Sequence, residues 1–150
     1  MKYWKAFASK DGFMDDVLLN KAAIIERCLM RIRQEYHGHE TELDTNFTRQ
    51  DAIVLNLQRA CESSIDAAMH LVRVHKLGIP QQSKDAFSLL EKADLLPSEL
   101  SRHLQAMVGF RNIAVHQYQD LSLDILRFIL EERLVDFQAF STLLSRLALQ

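Results

Sequence analysis

From Met14 to the C-terminus, apolar residues recur every three or four positions, a helical period, and nowhere alternate as strands do. The first run, "DDVLLNKAAIIERCLMRIRQEY", lines up Val17, Ile24, Ile25, Cys28, Leu29 and Ile32 on one side. Asp15 and Asp16 stand at its start, and Arg31 and Arg33 near its end, which suits the helix dipole. The spacing predicts a helix from about Asp15 to Tyr36. "HGHETELDTN" then breaks the period with polar residues and a glycine. His37 and His39 flank Gly38 among acids, but no third ligand follows at a metal-binding spacing, so a solvated loop is expected. Thr48, with Asp51 three residues on, reads as the cap of a second helix. Its stripe runs Ile53, Val54, Leu57, Ala60, Cys61, Ile65, Ala68, Met69, Val72 and ends near Gly78 and Pro80.

A short helix, "SKDAFSLLEKADLL", follows from a Ser83 cap and stops before Pro97. Pro97 and Ser98 open the next, with Leu100, Leu104, Met107, Val108 and Ile113 as core positions. After "QYQDL", one last helix is predicted from Ser122 to the end, its buried side marked by Leu123, Leu126, Ile129, Leu130, Leu134, Phe137, Phe140, Leu144 and Leu147. The sum is an all-α, up-and-down helical bundle of four long helices and one short one. Residues 14–150 make a single domain. The first thirteen, "MKYWKAFASKDGF", show no clear period and form either an extension before a start at Met14 or a further turn of structure.

Composition narrows the class. Among 150 residues, 48% are apolar and only four are glycine and two proline, enough for one real core with few breaks. Lys+Arg number 18 against 20 Asp+Glu, a formal charge of −2. Such a chain is not coated for nucleic acid, so a nucleic-acid partner requires local positive potential or potential assembled by oligomerisation. Cys28 and Cys61 lie far apart inside helical runs, without metal-ligand spacing or a disulfide framework, and read as small buried hydrophobes. No apolar run approaches the roughly 20 residues a membrane helix needs, and the N-terminus lacks a secretory signal's apolar middle. A soluble cytoplasmic protein without a cofactor or metal is expected.

The chemistry concentrates in "GFRNIAVHQY", residues 109–118. Arg111 offers a planar, permanently charged fork that matches phosphate oxygens. Asn112 can orient a hydroxyl or steady an imidazole, and His116 can take and return a proton near neutrality. Tyr118 can bond a phosphate, stack on a base or act as a nucleophile. On a straight helix, five positions turn through about 500°, so Arg111 and His116 diverge by about 140°. They form one site only if the helix frays near Val115 and His116 enters the loop, or if each faces a counterpart from a second chain across a twofold axis. These groups could cleave RNA through its own 2′-hydroxyl; a solvated helix end is the competing reading of the spacing alone.

"RNIAVHQY" resembles the R-x4-6-H-x-Y signature of the HEPN superfamily, specifically the HepT-like toxins, in which a polar residue usually follows the arginine as Asn112 does here. "GFRN" and "RACESSIDAAMHLV" are similar to HepT-like sequences as well, and the helical layout resembles that family from about Met14 onward. The resemblance implies a HEPN-like bundle and the toxin of a type VII-like toxin–antitoxin pair. It implies a metal-independent endoribonuclease acting as a homodimer on RNA, with Arg111 stabilising charge on the scissile phosphate, His116 as general acid/base and Asn112 supporting them. It further implies a minimal nucleotidyltransferase antitoxin that neutralises the toxin by transferring AMP to Tyr118. A non-catalytic HEPN-like module that docks such a transferase is the alternative.

Further polar residues carry weaker expectations. Arg59, Glu62 and Asp66 share a helix face, as an exposed ion-pair ladder or with Glu62 and Arg59 backing the cleft. Arg102 and His103 could extend a positive stripe for RNA along the cleft wall, whereas Arg27 and Arg31 read as a solvated face.

Overall fold

The computed structural model describes residues 14–150, so the expectations for residues 1–13 lie outside the described residues. Among the described residues there are six α-helices and no strands: α1 (Asp16–Tyr36), α2 (Phe47–Val74), α3 (Ser83–Lys92), α4 (Ser98–His116), α5 (Leu123–Glu132) and α6 (Leu134–Ala148). Short 3₁₀ turns, Glu40–Glu42 and Tyr118–Asp120, sit in two of the links.

The periodic stripes become one core. α1 runs antiparallel to α2, as contacts at both ends show. Asp15 meets His70 at 2.7 Å, Lys21 meets Asp66 at 3.4 Å, and Arg49 donates to the Glu35 carbonyl at 2.9 Å. α6 returns along the other side of α1, where the Asp15 amide donates to the Ala148 carbonyl and Ser141 donates to Glu26 at 2.6 Å. α3 and α4 close the bundle against α2. Phe87 and Phe140 meet edge to face in its centre, with ring centroids 5.9 Å apart. At the far end, the buried Tyr36 donates its hydroxyl to Glu131 and ties α1 to α5.

The expected final helix is two helices. Arg133, at φ −119°, ends α5 and precedes α6, its amide donating to the Ile129 carbonyl at 2.9 Å. Other boundaries also move. Asn46, not Thr48, caps α2 by accepting from the Arg49 amide at 3.1 Å. Asp85 binds the Gln81 and Gln82 amides, so the cap of α3 is Gln82 rather than Ser83. The chain leaves α2 through Lys76 in the left-handed region, with Leu77 reaching back to the Val72 carbonyl, before it reaches Gly78. Val17 and Ile113, expected in the core, face outward.

Asp15 shows how closely this packing is specified. One carboxylate oxygen caps α1 through the Val17 and Leu18 amides, and the other meets His70. Because Asp15 is buried, Asp15→Ala is expected to cost about 1–2 kcal/mol, the upper range for a lost cap. A lowered urea midpoint with an unchanged slope checks this.

Candidate active site

The candidate constellation is built on the C-terminal turns of α4 and the turn that follows it. The helix does not fray at Val115: it runs through His116, and the Gln117 amide donates to the Ile113 carbonyl at 2.8 Å. The backbone then turns sharply at Gln117 (φ −142°, ψ 49°), and the Tyr118–Asp120 turn carries Tyr118 back toward α2. Arg111 and His116 therefore keep the divergence of about 140° that helical geometry imposes. The helix therefore does not fray to bring His116 into the loop, as the loop-entry version of a single-chain site requires.

Each polar side chain has a defined setting. Arg111 is half-buried, and its Nε donates to Asn112 Oδ1 at 3.0 Å while Nη1 lies 3.7 Å from the Glu62 carboxylate. Two edges of the guanidinium are thus braced, one from its own helix and one from α2. Asn112 and His116 are exposed. Beneath Arg111, the buried Cys61 thiol donates to the Met107 carbonyl at 3.6 Å. Burial pushes that thiol far above its ordinary range, against the opposing pull of the Arg111 charge, so Cys61 is an inert hydrophobe.

Tyr118 is the side chain that sequence reasoning left without a partner. Its hydroxyl donates to Oδ1 of Asp51, on the first turns of α2, at 2.5 Å. Partial burial, then the bond to Asp51 and its negative charge, push the phenol up to about 12. The neutral phenol is the form favoured by folding. The resulting stabilisation is complete below the unfolded value near 10 and is lost as pH rises through about 12. In a difference titration of phenolate absorbance against Tyr118→Phe, Asp51→Ala is expected to move the Tyr118 transition down only part way toward 10, because burial is the largest cause.

The remaining candidates separate. Glu62 and Asp66 do not form a ladder with Arg59; they reach across to Arg111 on α4 and Lys21 on α1. Arg59 is exposed, and its charge acts with those of Arg27 and Arg31 around Cys28. Arg102 is exposed as well. His103 pairs with Asp136 of α6 at 3.1 Å and borders an apolar cavity of about 360 Å³ lined by Met107, Phe110, Ile113, Ile125 and Phe128. The loop histidine His39 is held by Glu42 at 2.9 Å, and among the described residues no three His, Cys, Asp or Glu side chains gather where they could hold a metal. Cys28 and Cys61 are both buried free thiols, as expected. Asp51 was read only as a cap partner of Thr48, since no local signal links positions 67 residues apart.

The chain and its fold have close counterparts. A chain 49% identical over 127 residues, covering 85% of this chain and 95% of its own length, is an mRNA nuclease HepT of Shewanella oneidensis. A solved structure of a tri-AMPylated HEPN toxin from Shewanella oneidensis, in complex with an MNT antitoxin, superposes with a TM-score of 0.84 at 47% identity, covering 89% of this chain and 99% of that one. A toxin–antitoxin structure with AMP-PNP gives 0.82 at 46% identity, covering 87% and 99%. No helix among the described residues is long and apolar enough to cross a membrane. The model of the family described as ribonuclease HepT-like matches residues 25–144, and the chain belongs to that family.

Proposed function

We propose that this chain is the toxin of a toxin–antitoxin pair: a cytoplasmic, metal-independent endoribonuclease that acts as a homodimer and is silenced when a nucleotidyltransferase antitoxin transfers AMP to Tyr118. The observation that carries the reading is the braced Arg111 beside the exposed Asn112, His116 and Tyr118 on one helix end, in a chain 49% identical to an mRNA nuclease. In the relatives, a HEPN toxin is tri-AMPylated and complexed with an MNT antitoxin.

The groups present suffice for transesterification. His116 accepts the proton of the RNA 2′-hydroxyl as that oxygen bonds to the adjacent phosphorus, and a proton returns to the departing 5′ oxygen as the P–O5′ bond breaks. Arg111 stabilises the added negative charge on the phosphorane, and Glu62 and Asn112 hold its guanidinium for that task. A single α4, from which Arg111 and His116 leave about 140° apart, does not readily bring both to one phosphate. Two copies of α4 facing each other across a twofold can, with the arginine of one opposite the histidine of the other. The exposed Arg59 and Arg102 add positive potential that the overall charge of −2 does not provide.

Incubating purified, unmodified chain with bulk cellular RNA in excess EDTA tests the reading. Fragments ending in 2′,3′-cyclic phosphate are the expected product. Intact RNA, under conditions where the chain is folded and dimeric, would favour instead a module that only docks the transferase.

A further inference from the structure

If Tyr118 attacks a nucleotide, some group must take its proton, and among the described residues one side chain hydrogen-bonds with its hydroxyl. That contact is the 2.5 Å hydrogen bond to Asp51 Oδ1, which joins the turn after α4 to the first turns of α2. We propose that Asp51 is the general base for AMP transfer, its carboxylate receiving the Tyr118 proton as the phenolic oxygen attacks the α-phosphorus of a nucleoside triphosphate held by the transferase. The assignment rests on the preceding reading of Tyr118 as the modified residue.

The step balances. The Oη–P bond forms, the bond from phosphorus to the pyrophosphate oxygen breaks with its electron pair, and the phenolic proton passes to Asp51. A carboxylate is too weak a base to strip a phenol that titrates near pH 12 before reaction begins. Proton transfer therefore accompanies Oη–P bond formation, when the oxygen loses electron density and its hydrogen becomes acidic. Asp51 is exposed and can pass the proton on to water. His116, two residues before Tyr118, makes no hydrogen bond to the phenol, which leaves Asp51 as the group in place. The finished ester has no proton to donate, and its phosphodiester repels the carboxylate, so the product is released from α2 while the substrate is held there.

The test is the rate of AMP addition to the full chain by its cognate nucleotidyltransferase with ATP and Mg²⁺, followed by intact mass. Asn at position 51 can still accept the phenol's hydrogen bond but cannot take its proton. Asp51→Asn is expected to slow transfer about 10²-fold, the low end for general-base catalysis, with the KM for the toxin unchanged. Asp51→Glu is expected to recover most of the rate. Asp51→Asn working at the wild-type rate would overturn the assignment, even if Asp51→Ala were slow, because the residue would then only position the phenol. No transfer to the wild-type chain would remove the Tyr118 reading itself, a different result from transfer that ignores Asp51. Circular dichroism of each variant verifies that the helices are intact.

Discussion

Alanine in place of His116 is expected to lower RNA cleavage by about 10²–10⁴-fold, the usual contribution of a positioned general acid–base group. The fold is expected to tolerate the change. His116 is exposed on the last turn of α4, outside the core, and its loss removes only a favourable interaction with the helix dipole, about 0.3–1 kcal/mol when the imidazole is charged. Rates on a defined RNA, read beside thermal unfolding of both proteins, separate the two effects. Cleavage within a few-fold of wild type would remove His116 from the chemistry.

Tyr118→Phe is expected to abolish AMP addition, since the attacking oxygen is gone, and to leave a nuclease that its transferase cannot silence. Intact mass after incubation with the transferase and ATP would show whole AMP units on the wild-type chain and none on the variant. The cost in stability is small. The lost bond to Asp51 is between exposed groups, and a hydrogen bond contributes about 0.5–1.5 kcal/mol even where better protected. AMP appearing on the variant at the wild-type rate would place the modification on another residue.

Both predictions concern residues that the sequence singles out by type and spacing, while their partners were not legible there. α1, α2 and α4 each carry one dominant apolar stripe, so Ile25, Leu57 and Leu104 could be assigned to the core before any packing was known. The break at Arg133 could not be read that way. Leu130 and Leu134 continue the helical period across it, and no glycine or proline marks the joint. Ile113 keeps the spacing of a core residue on α4 but borders a cavity beside α5 instead.

At the site, the residue types of Arg111, Asn112, His116 and Tyr118 pointed to phosphate chemistry, but their partners came from elsewhere in the chain. Glu62 braces Arg111 and Asp51 holds Tyr118 because the face of α2 that meets α4 is fixed by the whole core. The partner of His103 was hidden for the same reason. Its neighbour Asp136 lies 33 positions later, on a helix whose start depends on the unforeseen break. Local pattern specifies which residues are polar, whereas tertiary packing decides which of them meet.

One measurement tests the central claim that the groups after Gly109 are at once the nuclease site and its off-switch. A single preparation is assayed for RNA cleavage in EDTA before and after AMP transfer, with the site of modification mapped on the intact chain. The account predicts that cleavage disappears in step with modification of Tyr118, because a bulky anionic nucleotide two residues from His116 repels RNA phosphates and fills the cleft. Fully modified protein that cleaves RNA at the unmodified rate would contradict it.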